Sequence, residues 1–219
     1  MPKVARRRGA PAIRTVLQPR RSQGERRATT RQCLLDATIE SLVEVGYSGT
    51  TTTEVCGRAG VSQGALFKHF ATKAELVAAT AEHLFANLID TFRAGLPLLD
   101  ANTDRAAVVV QQLWMVFQQP RLEAAFELYV AARTDAELAR RLASVSEHHS
   151  ENMQRLAHEL FPETAHDARF DAFVDLGISA LQGAAISRPL RSDEASHEPM
   201  LAVLTTFLRQ IVAANQEPR

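Results

Sequence analysis

The side chains best suited to a chemical task in this sequence lie between residues 50 and 76, and the task they suit is holding a nucleic acid. Thr51 and Glu54 have the spacing of a capping box, which predicts the start of a helix. Gly60 can take the positive φ that ends this helix, and Ser62 is a good N-cap for a second one. Two short helices joined by such a turn form a helix-turn-helix, whose second helix can enter a DNA major groove. The same pattern also occurs where two helices merely pack together.

The outward side chains of the second helix have the chemistry needed to contact DNA. Gln63 could read base edges, while Lys68 and His69 could contact phosphates. Small residues beside Gln63 would keep the backbone close to the groove. Hydroxyls at the start of the first helix, together with Lys73, would bind phosphates through side chains and backbone amides. The residues we predict to bind DNA are Arg31, Thr51, Thr52, Thr53, Ser62, Gln63, Gly64, Ala65, Phe67, Lys68, His69 and Lys73.

The stretch from residue 49 to residue 76 closely resembles the N-terminal DNA-binding domain of TetR-family (tetracycline-repressor-like) transcriptional regulators. The resemblance rests on the Ala-Gly-Val-Ser turn at residues 59–62, the aromatic-x-His-Phe run at residues 67–70 and the Lys-x-x-Leu run at residues 73–76. It extends over roughly residues 28–80, which is the region of the predicted helix-turn-helix.

Two residues depart from the family pattern. Cys56 stands where the family usually has a small buried Ala, and Phe67 lacks the hydroxyl of the Tyr that often contacts phosphate there. The resemblance implies a homodimer that binds a double-stranded, palindromic DNA operator. It also implies an effector, a small molecule that changes operator affinity, and more often a repressor than an activator.

The charge of the chain is zero overall but unevenly distributed. Residues 1–31 hold ten Lys or Arg and one acidic residue, a net charge of +9, which leaves −9 on the remainder. We therefore expect residues 1–27 to form a disordered basic arm, which either lies along DNA phosphates or serves only solubility. The chain has no apolar run of the roughly 18 residues that a membrane span needs and no signal-peptide core. We expect a cytoplasmic protein that contacts no membrane.

Helical spacing of apolar residues continues along the chain, and no stretch shows strand alternation. A capping box at residues 29–32 predicts the first helix, and Gly46 predicts its end. A long helix should run from residue 72 to residue 95 and connect the helix-turn-helix to the rest of the chain. We predict an all-α protein of about nine helices. An N-terminal three-helix helix-turn-helix domain would span residues 28–75, and a C-terminal helical ligand-binding and dimerisation domain would span residues 76–219.

Aromatic residues of the middle helices could line a cavity for a small, largely apolar molecule. Arg133 and His149 are the polar members of this group, and Arg133 could pair with a carboxylate on the ligand. The alternative is that the aromatic rings fill a solid core and leave no room. The candidate pocket residues are Trp114, Phe117, Phe126, Tyr129, Arg133, His149, Met153 and Phe173.

The last two helices are apolar over more than half of their circumference. Either both apolar faces are covered within one subunit, or the two helices pack against their two-fold mates as a four-helix bundle. The family resemblance implies the bundle. The predicted dimer interface consists of Val174, Ile178, Leu181, Leu204, Phe207 and Ile211.

The sequence lacks the motifs of the common enzyme classes. It has no phosphate-cradling glycine loop, no Gly-x-Ser-x-Gly and no His-Glu-x-x-His, so we expect neither catalysis nor a bound cofactor. His148 and Glu151 have a spacing compatible with a metal ion, but a solvated helix face explains both, and we predict no metal site. Cys33 and Cys56 lie in separate predicted helices and should remain reduced thiols. The alternative function is a ligand-insensitive DNA-binding dimer or a protein-partner adaptor.

Overall fold

The computed structural model describes residues 22–97, 103–190 and 197–216, and within these ranges the chain is all-α, as predicted, without a strand. None of the helices in these ranges is both long enough and apolar enough to cross a membrane. The α-helices are α1 (Gln23–Gly49), α2 (Thr52–Ala59), α3 (Gln63–Phe67), α4 (Lys73–Gly95), α5 (Arg105–Phe117), α6 (Arg121–Ala132), α7 (Ala136–Leu160), α8 (Ala168–Ser187) and α9 (Glu198–Gln216), and two 3-10 helices span Pro162–Thr164 and Arg188–Leu190.

Helix α1 begins at Gln23, upstream of the predicted capping box at Thr29. The Ser22 hydroxyl accepts a hydrogen bond from the Glu25 backbone N–H at 3.1 Å, and the Glu25 carboxylate accepts one from the Ser22 N–H at 2.6 Å. This reciprocal pair is the capping box that starts the helix. The predicted arm was therefore too long, because its last residues belong to α1 and its cap. Residues 1–21 lie outside the described residues.

The helix-turn-helix predicted from the sequence is present, with the predicted residues at its helix ends. The regular part of α1 ends at Gly46, which has φ 67° and ψ 178°. Thr51 caps α2 by accepting a hydrogen bond from the Glu54 N–H at 3.1 Å, and Gly60 ends α2 with φ 65°. Ser62 then caps α3. Each of these signals acts within four residues, which is why the sequence alone revealed them.

Two hydrophobic clusters hold the helices together, and α1 and α4 take part in both. The larger cluster joins the second half of α1 to α4, α5, α6, α7, α8 and α9. Helix α1 packs most extensively on α6, and α4 packs most extensively on α7. Helix α4 thus runs across the predicted domain boundary and connects the two clusters. The smaller cluster, which we call the core of the N-terminal unit, consists of Leu34, Leu35, Ala37, Val55, Cys56, Leu66, Phe70 and Leu76.

Two glycine-to-alanine substitutions test the role of Gly46. Gly46 has a φ of 67°, which residues with a side chain rarely adopt. The Cβ that Gly46→Ala adds would also lie 3.0 Å from a carboxylate oxygen of Glu127. We expect this variant to lower the free energy of unfolding by about 1–2 kcal/mol. Gly57 lies inside α2 with open space at its Cβ position, so Gly57→Ala should raise that free energy by about 0.5–1 kcal/mol. Urea unfolding measures both, and a Gly46→Ala protein as stable as the wild type would contradict the assignment.

Candidate DNA-binding surface and ligand cavities

Helix α3 and the residues just after it are anchored by two buried side chains, Ala65 is partly buried, and most of the other side chains are exposed. Leu66 and Phe70 are buried in the core of the N-terminal unit. The Ser62 hydroxyl caps the helix by accepting a hydrogen bond from the Ala65 N–H at 3.2 Å. The opposite side of α3 is therefore available to meet a major groove. Its exposed residues are Gln63, Gly64, Phe67 and Lys68.

The side chain of Gln63 is oriented by the other helix of the motif. Its Nε2 donates a hydrogen bond to the Thr53 hydroxyl at 2.7 Å. An amide group has two N–H donors and one acceptor oxygen. This contact therefore leaves one N–H and the oxygen of Gln63 available, which are the two groups that bind an adenine edge. Thr51 uses its hydroxyl oxygen as the α2 cap, and this contact does not occupy its hydroxyl hydrogen. Thr52 is partly buried beside it.

A group of cations lies beside α3. Burial and the nearby guanidinium groups of Arg27 and Arg31 lower the pKa of His69, so its imidazole is neutral near pH 7 and would contact a phosphate as a hydrogen-bond donor. The Arg31 guanidinium lies 5.4 Å from the centroid of the Phe70 ring. Arg27 was missed by the sequence interpretation because it was placed in the arm. The capping box at residues 22–25 is the signal that places it on α1.

Lys73, which we predicted to contact phosphate, is held by α1. Its Nζ donates a hydrogen bond to the Tyr47 carbonyl at 3.0 Å and lies 4.1 Å from the centroid of the Tyr47 ring. Burial lowers the pKa of this ammonium group, and the carboxylate of Asp135 opposes the shift. Lys73 therefore joins α1 to the start of α4, and Lys68 is the lysine that α3 leaves exposed.

The second candidate site lies between the middle helices, where the larger cluster contains two adjacent cavities. The cavity of about 60 Å³, which we call the inner cavity, is lined by residues of α4, α5, α7, α8 and α9 and by Phe161. The cavity of about 90 Å³, which we call the His149 cavity, is lined by residues of α4, α5, α6, α7 and α8. The aromatic residues of the middle helices thus do not fill this region completely. Four side chains line both cavities: Phe92, Leu113, Met153 and Ile178.

The structure places the predicted pocket residues in four different surroundings: the inner cavity, the His149 cavity, the solid core and the exposed surface. Phe173 lines the inner cavity, and Met153 lines both. Trp114 is a buried core residue whose ring lies 4.7 Å from that of His197. Arg133 is exposed at the end of α6 and lines neither cavity, so it does not lie where it could pair with a bound carboxylate. The predicted residues that line the His149 cavity are Phe117, Phe126, Tyr129, His149 and Met153.

His149 is partly buried beside these aromatic rings. Its imidazole stacks on Phe85 with ring centroids 4.1 Å apart and planes 12° from parallel. Burial, with a smaller contribution from His148, lowers the pKa of His149 to about 4, so the ring is neutral near pH 7. Its Nδ1 is buried and has no hydrogen-bond partner among the described residues. A ligand with a single polar group could satisfy this nitrogen.

Helix α6 connects the His149 cavity to the N-terminal unit. Phe126 lines the cavity, and the next residue, Glu127, accepts a hydrogen bond from the Tyr47 backbone N–H at 3.2 Å. The Tyr47 hydroxyl donates to the Asp135 carboxylate, just before α7, at 3.0 Å. Burial and this hydrogen bond raise the pKa of Tyr47 to about 12. We call Tyr47, Lys73, Glu127 and Asp135 the α1–α6 junction.

Most of the predicted dimer residues face the interior of their own subunit. Leu181 and Leu204 are 1% and 7% exposed and belong to the larger cluster. Val174 and Ile178 line the inner cavity, and Ile211 packs partly against the larger cluster. The sequence shows that these helices are apolar on two sides but does not show which side is covered by α5 and α7. Of the predicted set, Phe207 remains exposed, at 54%.

The exposed face of α8 and α9 is formed by different residues. Their spacing alternates between four and three, which keeps them on one side of each helix. Each of the two helices exposes a row of residues that includes more than one large apolar side chain. A single exposed apolar residue is ordinary on a protein surface, but a repeated row indicates an interaction site. The rows, which we call the α8–α9 face, are Ala172, Leu176, Ser179, Gly183 and Ile186 on α8 and Val203, Phe207, Gln210 and Ala214 on α9.

An all-α chain whose helix-turn-helix presents an exposed helix beside several cations has the structure of a DNA-binding regulator. The family model described as "Bacterial regulatory proteins, tetR family" matches residues 34–80. An HTH-type transcriptional regulator of Mycobacterium tuberculosis is 32% identical over 193 residues, which cover 86% of this chain and 97% of that relative. The chain therefore belongs to the tetR family of bacterial transcriptional regulators, and it is a regulator rather than an enzyme.

Solved structures show the same fold. A transcriptional regulator from Rhodococcus sp. Rha1 has a TM-score of 0.64 at 19% identity, over 86% of this chain and 99% of that one. The multidrug binding protein EbrR, solved with imidazole, has a TM-score of 0.61 at 23% identity, over 80% and 93% of the two chains. At these identities, the similarity extends to the helical architecture alone.

Replacing Lys68 tests the phosphate contact expected on the exposed side of α3. Because a phosphate contact carries no sequence information, Lys68→Ala should weaken binding to operator and to unrelated DNA by similar factors. The slope of log affinity against log salt concentration should become shallower by about one unit. Fluorescence anisotropy over a salt series measures both quantities. Arg140→Ala, on an exposed part of α7, is the matched control. An unchanged slope for Lys68→Ala, or an equal loss in the control, would contradict the contact.

Proposed function

We propose that this chain is a homodimeric transcriptional repressor that a small, largely apolar ligand releases from a palindromic operator. The observation that carries the proposal is the position of α6. This helix lines the His149 cavity through Phe126 and contacts the N-terminal unit through Glu127. A single rigid element thus touches both the candidate ligand site and the unit that carries α3.

A ligand would act by favouring one position of α6 over another. The cavities of about 60 and 90 Å³ are small, and close-packed walls must shift when a larger molecule enters. Movement of α6 would be transmitted through the α1–α6 junction to α1 and α4, whose residues share the core of the N-terminal unit with Leu66 of α3. Because operator half-sites have a fixed spacing, moving the two α3 helices by a few ångströms would weaken binding. The ligand can drive this change only by binding one state more tightly.

The fold neighbours support a small-molecule site in the C-terminal helices. EbrR is described as a multidrug binding protein and was solved with imidazole. Another neighbour, a transcriptional regulator from Saccharomonospora viridis, was solved in complex with choline. We infer that the paired cavities of this chain serve the same general purpose, with a ligand chemistry set by their own residues.

Selection from a random DNA pool, followed by a compound screen on the selected DNA, tests the proposed function. We expect an inverted repeat of two half-sites, because a two-fold dimer presents two copies of α3. We also expect at least one small, largely apolar compound to release the protein. An inverted repeat that no compound releases would favour the ligand-insensitive dimer. A protein without any DNA preference would favour the partner adaptor.

We propose that the α8–α9 face forms the homodimer. Leu176, Ile186, Val203 and Phe207 are all more than half exposed in the single chain, and they lie on two helices that pack together. Two such helices from each subunit would form a four-helix bundle. Gly183 has open space at its Cβ position, which would allow a partner helix to approach its backbone closely.

Charging the α8–α9 face tests this interface without disturbing the core. Ile186→Glu and Phe207→Glu place a carboxylate on side chains that are exposed in one subunit but would be buried in the dimer. We expect folded monomers by light scattering and circular dichroism, with operator binding lost, because an unpaired charge is costly to bury. Val130→Glu, at an exposed apolar residue of α6, is the control and should remain dimeric. Two variants with the mass of the wild-type dimer would exclude this face.

A further inference from the structure

The two cavities share four lining side chains, and movement of these side chains would join them into one space. Met153 lines both cavities, and its unbranched side chain can change rotamer without a shift of the backbone. The volumes of about 60 and 90 Å³ together are comparable to that of an engineered apolar cavity of roughly 150 Å³ that holds benzene. A molecule somewhat larger than benzene would fit once the dividing side chains move aside.

The residues around this space exclude a charged ligand. No Lys, Arg, Asp or Glu is present among the described residues that line either cavity. Arg133, the cation that the sequence suggested, is exposed outside them. A carboxylate or ammonium group would lose its hydration here without gaining an opposite charge. The ligand that fits is therefore neutral.

The two ends of the space differ in chemistry. The inner cavity is lined by apolar residues alone among those described, including Leu156, Phe161 and Phe170. The His149 cavity adds the polar groups of Tyr129, His149 and Gln182. A ligand that fills both cavities would have one end with a polar group and one end without, and the polar end would lie beside His149.

The unpartnered Nδ1 of His149 indicates which polar group the ligand carries. A neutral imidazole has one N–H donor and one acceptor nitrogen, and the tautomer decides which of these Nδ1 is. A hydroxyl group both donates and accepts, so it can bond Nδ1 in either tautomer, whereas a ketone or ether can only accept. His149 and Met153 lie four residues apart on α7, about 6 Å along its axis. That separation is comparable to the span of a phenol ring.

We propose that the effector is an alkylphenol-like molecule, an uncharged ring with one hydroxyl and a short alkyl tail. The ring lies in the His149 cavity with its hydroxyl against the imidazole of His149, which turns to bring the buried Nδ1 into hydrogen-bond distance, and the tail passes Met153 into the inner cavity. This assignment rests on the proposed receptor function and specifies the chemical class of its ligand.

Three probes with the same propylbenzene skeleton test the polar group: 4-propylphenol, propylbenzene and 4-propylbenzoate, titrated into the protein by calorimetry. We expect 4-propylphenol to bind about fivefold more tightly than propylbenzene, the effect of one net hydrogen bond. The benzoate should bind most weakly. His149→Phe keeps an aromatic ring against Phe85 and should lower the affinity for 4-propylphenol to that for propylbenzene. Tightest binding by the benzoate, or an unchanged preference in His149→Phe, would overturn the proposal.

A second variant tests the position of the tail independently. Gly177 lines the inner cavity, and a Cβ there would lie 3.9 Å from its nearest neighbour, Leu204. Gly177→Ala should therefore fold normally and fill part of the space. We expect weaker binding of 4-propylphenol and unchanged binding of 4-methylphenol, whose tail is too short to reach. Equal losses for both phenols would overturn the placement of the tail.

The same probes, added to the protein–operator complex, separate this proposal from the function on which it rests. Binding of 4-propylphenol with the expected preferences but without release of DNA would support the ligand class and contradict the proposed release. Release of DNA by an unrelated compound, with no calorimetric binding of 4-propylphenol, would overturn the ligand class and leave the proposed function intact.

Discussion

Tyr47 makes three polar contacts, two of which join the N-terminal unit to the C-terminal helices. Its N–H is bonded to Glu127, its hydroxyl to Asp135 and its carbonyl to Lys73. The hydroxyl and carbonyl contacts are partly buried, whereas the contact to Glu127 is exposed to solvent. Because hydrogen bonds require particular distances and angles, these contacts together favour one arrangement of α1 relative to α6. A ligand that shifts α6 must take Tyr47 with it or break these contacts.

The parts of the structure that the sequence revealed are those whose partners are near in the chain. Thr51, Gly60 and Ser62 end or begin helices through contacts within four residues, and the motif they define could be placed without any tertiary information. The start of α1 is the exception. The capping box of Ser22 and Glu25 was equally local, but the Arg-rich composition around it suggested disorder.

The parts that the sequence did not reveal depend on which side of a helix is covered. Periodicity showed that α8 and α9 are apolar on more than one side, but only packing shows that Leu181 and Leu204 face inward while Phe207 does not. Periodicity likewise could not show that α6 exposes Arg133 while it turns Phe126 towards a cavity. Lys73 has a side chain suited to contacting phosphate, and the sequence could not show that its ammonium group bonds the carbonyl of Tyr47, 26 residues earlier in the chain.

Hydrogen–deuterium exchange of α6, Arg121–Ala132, with and without operator DNA, tests most directly whether the two sites form one coupled unit. Because coupling between two sites is reciprocal, we expect operator binding to slow exchange in α6 although this helix lies outside the DNA-binding surface. Tyr47→Phe removes only the hydroxyl that bonds Asp135, and it should reduce this effect while leaving protection of α3 in place. Protection confined to α1, α2 and α3, with α6 unchanged by the operator in both proteins, would contradict the coupling.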